Sequence, residues 1–415
     1  MSLKNDCKNI IEYSLKKVQP DVVVKNALNG RKFSGRVVLV SVGKAGWTMA
    51  DAAVNQMGVR PYKGIIITKY GHSRGPIGDL EIYEAGHPVP DNNSFKATGR
   101  ALELTEGLKE DDTVLFLLSG GGSALFEKPL IREEELQSVT NQLLGSGAEI
   151  TEVNTIRKRL SAVKGGRFAT HILPAKVISV VLSDVLGNRA DMIASGPTVE
   201  DCSSSDEAVK IVEKYGIKCS DDALRWIRAE LPKRLENTET IVSGSVSQLC
   251  RAGLEMAEQL GYKAEIITDS LDCEAKDAGA MLGNLARENG QSLESLAFLA
   301  GGETVVHLTG KGKGGRNQEV ALAAALEIQN LKNVAVFSFG SDGTDGPTDA
   351  AGGYADGETK NKLELEGIDI VKVLKDNDAY NALKKTDGLI FTGPTGTNVN
   401  DLSVVLIRPE TLKHL

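Results

Sequence analysis

Short runs of β-branched and other apolar residues recur along the chain at 37–42, 64–68, 113–118, 177–182, 240–242, 264–267, 296–300, 334–337, 388–391 and 404–407. These runs lack the in-and-out alternation of a half-exposed strand, so they predict strands buried on both faces. Between most of them the apolar spacing turns helical, at 45–56, 94–107, 133–144, 246–260, 275–288 and 316–328. Strands alternating with helices imply βαβ units, hence an α/β protein with largely parallel sheets. Ile10, Ile11, Leu15 and Val18 predict one further, amphipathic helix at the start. The charged, proline-bearing segment 231–239 interrupts the pattern before a new strand begins, which places a boundary between residues 1–235 and 236–415. A chain of 415 residues exceeds what one core usually fills, so two α/β domains are expected.

Composition narrows the partners. The net charge is −8 and the basic residues form no continuous patch, which argues against a nucleic-acid partner. Cys7, Cys202, Cys219, Cys250 and Cys273 stand far apart, with neither a C-x-x-C pair nor a zinc-ligand spacing, so a reducing cytoplasm is the expected compartment. The first residues lack the apolar stretch of a signal peptide, and no run of about 18 apolar residues occurs, so no membrane partner is expected. The 44 glycines gather at the ends of apolar runs, which is the pattern of ligand loops on an α/β sheet rather than of a flexible tract.

Open α/β sheets bind ligands where strands end in loops, so those loops are where chemistry is expected. After the run 334–337 comes Asp342-Gly343-Thr344-Asp345-Gly346-Pro347-Thr348-Asp349, whose carboxylates repel one another unless a cation gathers them. Aspartate and glycine also crowd ordinary turns. Gly43-Lys44-Ala45-Gly46 ends the first strand and opens a helix, placing Lys44 where helix amides already favour an anion; the alternative is a solvated lysine. Ser119-Gly120-Gly121-Gly122-Ser123 can aim consecutive N–H groups at an anion, and three glycines are more than a simple turn needs. In the basic helical stretch 154–166 a solvated face explains several charges, and Lys164 beside Gly165 and Gly166 is the least bland of them. Asp184 ends the run 177–182, a position suited to binding a metal or accepting a proton. Gly310, Gly312 and Gly315 formally satisfy G-x-G-x-x-G, but Lys311, Lys313 and Arg316 bring more positive charge than one pyrophosphate requires, so a polyphosphate fits better than a dinucleotide. Thr395, Asn398 and Asn400 lie in a last loop rich in hydroxyls and amides.

Taken together these residues resemble the glycerate 2-kinase family, over 42–401. The resemblance rests on G-K-A at Gly43, H-P-x-P-D at His87, S-G-G-G-S at Ser119, K-G-G-R at Lys164, S-D-V at Ser183, S-G-P-T-V at Ser195, G-G-E-T at Gly301, G-G-R-N-Q-E at Gly314, the aspartate loop at Asp342 and G-P-T-G-T-N-V-N-D-L at Gly393, all in the family's order. It implies ATP-dependent phosphorylation of D-glycerate on its 2-hydroxyl with Mg²⁺ or another divalent cation. It also implies a Rossmann-like N-terminal α/β domain, a C-terminal α/β domain with glycine-rich signature loops, and a site in the interdomain cleft. Lys44, Arg316 and Asp342 match positions that the family is thought to use.

With the residue reading and the resemblance combined, Lys44, Arg316, Asp342 and Asp184 are the catalytic candidates. Ser119, Gly120, Gly121, Gly122, Ser123, Lys164, Lys311, Lys313, Asn317, Thr395, Asn398 and Asn400 are candidates for binding substrate or nucleotide, and Asp342 with Asp345 for the metal. Two departures stand out: Arg159 sits where many members have histidine in R-K-H-L-S, and Asn188 where many have aspartate after S-D-V-x-G. Two other classes compete with the kinase: an NAD(P)H-dependent hydroxypyruvate reductase, using the G-x-G-x-x-G as its cofactor turn, and a sugar-acid sensor without turnover. Whether the protein is a monomer or a homodimer is open at this level.

Overall fold

The computed structural model describes residues 2–58, 61–185, 187 and 189–409. These residues form two compact units. One comprises 20–183 and 188–243; the other comprises 1–19, 184–187 and 244–415.

The first unit is built on a six-stranded sheet of β1 (Val37–Val42), β2 (Lys63–Lys69), β3 (Glu81–Ala85), β4 (Thr113–Leu118), β5 (Lys176–Leu182) and β6 (Thr238–Gly244), in the order β3-β2-β1-β4-β5-β6. β1 and β4 are buried at all six positions, as their unbroken apolar sequences require, and β1, β2, β3, β4 and β5 pair in parallel. The strand order doubles back between β1 and β4, which creates a crevice where their C-terminal ends part. Phe116, Phe126 and Phe168 lock the centre with ring centroids 5.0–5.5 Å apart. A separate helical core, around Leu136, Leu143, Ile156, Ile211 and Ile227, carries the helices Glu133–Gly145, Ile150–Arg159, Ser205–Tyr215 and Asp221–Ile227.

The second unit has a six-stranded sheet of β7 (Lys263–Leu271), β8 (Leu296–Gly302), β9 (Val334–Gly340), β10 (Gly352–Asp356), β11 (Leu389–Ile390) and β12 (Asp401–Ile407), ordered β11-β10-β9-β12-β8-β7. Only β7 and β8 pair in parallel; the other four pairings are antiparallel. The α/β class holds for both units, while the expectation of largely parallel sheets holds only for the first. The reason lies in connections that apolar runs do not reveal: β9 returns as β10 through the aspartate loop, with no crossover helix between them. Helix Arg316–Glu327 is buried along most of its length because Gly279 and Gly283 of helix Ala275–Asn289 let the two backbones close. A Cβ on Gly279 would stand 2.3 Å from the Val320 carbonyl oxygen.

Two features depart from the boundary drawn at 235. β6 belongs to the first sheet, which moves the break to 243/244, and helix Leu3–Lys17 clusters with the second unit. Asp6 on that helix is buried and accepts from Tyr262 Oη at 2.6 Å and Arg408 Nη2 at 2.9 Å.

Candidate functional site

In the first unit Val42 pairs with Leu118, so the turns that follow β1 and β4 lie side by side at the crevice. Gly43 is at φ +120°, and a Cβ there would meet Ser119 Oγ at 2.2 Å. Glycine is thus what lets the two turns touch. They are stitched together by Lys44 N donating to the Gly120 carbonyl at 2.9 Å and by Ala45 N donating to Ser119 Oγ at 3.1 Å. Ser119 is fully buried in this role, so its hydroxyl builds the turn rather than facing a ligand. Gly121, at φ +91°, opens the short helix Gly122–Leu125, and a Cβ on it would reach His87 Cδ2 at 2.9 Å and Lys44 Cγ at 3.5 Å. The His87 ring and the Lys44 stem therefore converge over the bare backbone of Gly121. Burial, reinforced by Lys44, Lys69 and His72, holds the His87 imidazole below its usual range, so it is neutral at neutral pH. No carboxylate lies within ion-pair distance of Lys44 among the described residues.

Lys164 is a correction. Its ammonium is fully buried, 2.9 Å from Glu127 Oε2, and donates to the carbonyls of Ser123 at 3.0 Å and Phe126 at 2.9 Å. Two of its donors go to backbone carbonyls and its charge is matched by Glu127 in the interior, so it shapes the Ser123 turn from behind rather than facing a ligand. The basic stretch around it is likewise interior: Lys158 pairs with Asp201 at 2.9 Å, and buried Arg159 donates to Ser203 Oγ at 2.7 Å. The Arg159 departure thus falls at a structural anchor, while Asn188 lies outside the described residues. Asp184 follows β5, half-buried, in the short stretch that clusters with the second unit.

In the second unit Asp401, at the start of β12, is level with Gly302 ending β8 and Gly340 ending β9. That register gathers three glycine motifs at one edge of the sheet. Arg316, first residue of its helix, donates from Nε to Asp401 Oδ2 at 2.6 Å, from Nη2 to Oδ1 at 3.1 Å and from Nη1 to Glu303 Oε1 at 2.7 Å. Burial works against this guanidinium's charge, but Asp401 and Glu303 hold it well above the usual arginine range. Buried Asn400, at φ +66°, donates to Glu303 Oε2 at 3.2 Å. Thr395 Oγ1 donates to the Ser341 carbonyl at 2.5 Å, and Asn398 Oδ1 accepts from Asn400 N at 3.3 Å, so the last loop is laced to the aspartate loop.

Within the aspartate loop the carboxylates part company. Asp342 Oδ1 accepts from Thr344 N at 2.9 Å, while Asp349 Oδ1 accepts from Tyr380 Oη at 2.7 Å. Asp345 is buried beneath the start of helix Arg316–Glu327, where its oxygens accept from Asn317 N at 3.2 Å and Gln318 N at 2.9 Å. Asp345 therefore caps that helix, which corrects its expected pairing with Asp342 on a metal. Among the described residues no group of three or more histidine, cysteine, aspartate or glutamate side chains gathers around one point. Burial pushes both Asp345 and Asp401 up to about 6. Asn317 is buried as well, its Oδ1 accepting from Ser338 Oγ at 2.5 Å.

The glycines of the G-x-G-x-x-G are accounted for by the chain itself. A Cβ on Gly310 would lie 2.3 Å from Asp376 Cα, one on Gly312 2.4 Å from Asp378 Cβ, and one on Gly315 2.3 Å from Asp345 Cγ. The loop is strapped down by Gly310 N donating to Asn377 Oδ1 at 3.0 Å and Lys313 N donating to Asp378 Oδ1 at 2.9 Å. Lys311 and Lys313 remain exposed, with Lys313 Nζ 4.1 Å from the centre of the Tyr380 ring. A dinucleotide turn thereby loses its fingerprint, since close packing alone requires these glycines. His87, Glu303 and Asp401 are the site residues to which sequence reading gave no role, although each belongs to one of the motifs that carry the family resemblance.

Residues 6–228 match a family described as a domain of unknown function, DUF4147, and residues 296–401 match the MOFRL family. The chain is 53% identical over 412 residues to D-glycerate 2-kinase of Thermotoga maritima, covering 98% of this chain and 99% of that protein. A protein of Agrobacterium vitis that carries a provisional hydroxypyruvate reductase name is 36% identical, covering 98% of this chain and 95% of its own. The crystal structure of glycerate kinase from Thermotoga maritima superposes with a TM-score of 0.93 at 52% identity, covering 98% of this chain and 99% of that one.

Proposed function

The chain belongs to the glycerate 2-kinase family, and on that premise we propose that it transfers the terminal phosphoryl group of ATP to the 2-hydroxyl of D-glycerate. Such transfer proceeds through a loose transition state whose charge spreads over non-bridging oxygens, so the protein's task is to position the reactants and supply cations. The observation that carries the reading is Lys44: Lys158, Lys164 and Arg316 all have carboxylate partners, whereas the Lys44 ammonium has none among the described residues. A cation left free beside a glycine turn, where two strand ends diverge, suits an anionic ligand.

In this reading the amides of 120–123 hold the donor phosphates and Lys44 neutralises charge developing on the transferring group. Neutral His87 packs the Lys44 stem in place without adding a second charge. Arg316 uses three of its five N–H groups on Asp401 and Glu303, and the two that remain can fork onto the glycerate carboxylate. Asp342 takes the hydroxyl proton or contacts the divalent cation. Mg²⁺ commonly takes one or two protein carboxylates together with phosphate oxygens, so Asp342 alone fits that demand. A divalent cation held by Asp342 would supply neutralising charge to the donor phosphates.

The test is a pair of coupled assays, ADP release from ATP with D-glycerate and NADH oxidation with hydroxypyruvate. ADP release alone is expected, with phosphorus NMR placing the phosphate on C2. NADH oxidation without ADP release would replace the kinase by a reductase, and ligand binding without either would make the protein a sensor. For Asp342→Asn, activity regained at high Mg²⁺ marks the cation role, and a loss that no Mg²⁺ concentration restores marks the proton acceptor.

A further inference from the structure

We infer that a cavity of about 770 Å³ in the first unit, walled by Tyr70, Val89, Phe95, Leu136, Leu144 and Arg157, receives the base and ribose of a nucleoside triphosphate donor. The assignment rests on the phosphoryl-transfer reading above and names where the rest of the donor goes.

Position is the first ground. Pro88 on the cavity wall follows His87, whose ring lies over Gly121, and Arg157, which also lines the cavity, donates to the Ser123 carbonyl at 3.2 Å. The cavity thus begins where the glycine turn ends, so phosphates held at 120–123 leave a nucleoside pointing into it.

Chemistry is the second. The size lies within the range of small-ligand pockets, and the lining mixes the apolar surface of Val89, Phe95, Leu136 and Leu144 with amides and with the carboxylates of Asp91, Glu133 and Glu134, an acidic share that suits the uncharged nucleoside end of the donor rather than its phosphates. Asn92, Gln137 and Asn141 on the walls offer both donors and acceptors to a base edge. Tyr70 is fixed in advance, its hydroxyl donating to Asp91 Oδ2 at 2.7 Å and accepting from Asn93 Nδ2 at 3.0 Å. Exposure is the third ground. Tyr70, Val89 and Leu144 are 50%, 58% and 56% exposed, so apolar area at this one cavity is left uncovered by the chain itself. The charged hollow around Lys158, Arg189 and Lys214 offers no rival, since each of these cations already has a carboxylate partner.

Val89→Glu and Leu144→Glu place a charge in the apolar wall at exposed positions, where folding tolerates it. Each should raise KM for ATP about tenfold and leave KM for glycerate within about twofold. Titration calorimetry should find ADP binding weakened to the same extent and tripolyphosphate binding unchanged, because only the nucleoside enters the cavity. Unchanged KM for ATP in both variants, with wild-type kinase activity intact, overturns the pocket and leaves the kinase standing. An unchanged KM together with an altered elution volume on size exclusion overturns it in favour of an interface between copies. Wild-type protein that binds ADP no more tightly than pyrophosphate also overturns it.

Discussion

At the scale of single residues, the cations of this protein sort by whether the fold has already neutralised them. Lys158, Lys164 and Arg316 are each held by carboxylates, whereas Lys44, at the glycine turn between two diverging strand ends, has no carboxylate partner among the described residues. Lys44→Ala should lower kcat roughly a hundredfold, the usual scale for losing a preorganised charge. A folded variant with near-normal kcat in the ADP-release assay would return Lys44 to the solvated surface. Asp345 yields a second prediction. Its carboxyl is raised by burial to about 6 in the folded protein, above the 3.8 of the unfolded chain. Between these values the folded state binds more protons, so this group's contribution is full below about pH 4 and is lost as pH rises through 6. Relative to Asp345→Asn, the wild type should lose about 2–3 kcal/mol between pH 4 and pH 7 in urea titrations. A difference constant across that range would mean that Asp345 stays ionised throughout.

At the scale of elements, the glycine loop 310–315 behaves as a strap for helix Arg316–Glu327. Gly312 has no room for a side chain, with Asp376 O at 2.6 Å and Asp378 Cβ at 2.4 Å from where a Cβ would sit. Gly312→Val should therefore destabilise the protein with no ligand present, by about 2 kcal/mol, and lower Tm by at least about 4 °C. A ligand-facing glycine would leave the Tm of the free protein unchanged and affect only binding, so a melt without substrates separates the two. The helix start shows why Arg316 is precise: Asp345 holds the amides of Asn317 and Gln318 that follow it, and its own side chain is forked onto Asp401.

At the scale of the whole molecule, the first helix is part of the unit that contains the second sheet. Asp6 joins Tyr262 and Arg408, and Thr397 Oγ1 donates to the Val18 carbonyl at 2.8 Å. Asp6→Ala would leave Arg408 and Tyr262 facing a buried gap, at a cost of about 3 kcal/mol. Denaturation of the variant should show that loss in the unit of the second sheet. Equal destabilisation of the first unit, or none anywhere, would contradict the assignment of this helix.

What the amino-acid sequence determined by itself was whatever local patterns encode. Unbroken apolar runs marked β1, β4, β8, β9 and β12 because strands covered on both faces cannot alternate. The strand-end glycines marked the turns at Gly43, Gly121 and Gly343 because only glycine takes their positive φ cheaply. Motif order marked the family. What the tertiary structure decided was which partners each polar group meets. Lys164 and Lys44 both stand beside glycines in sequence, yet one is buried against Glu127 and the other has no carboxylate partner among the described residues. Asp342 and Asp345 are three residues apart, yet one lies at a strand end and the other under a helix. Strand direction in the second sheet and the docking of the first helix were equally out of reach. Each depends on residues distant in the chain, and local propensity does not see them.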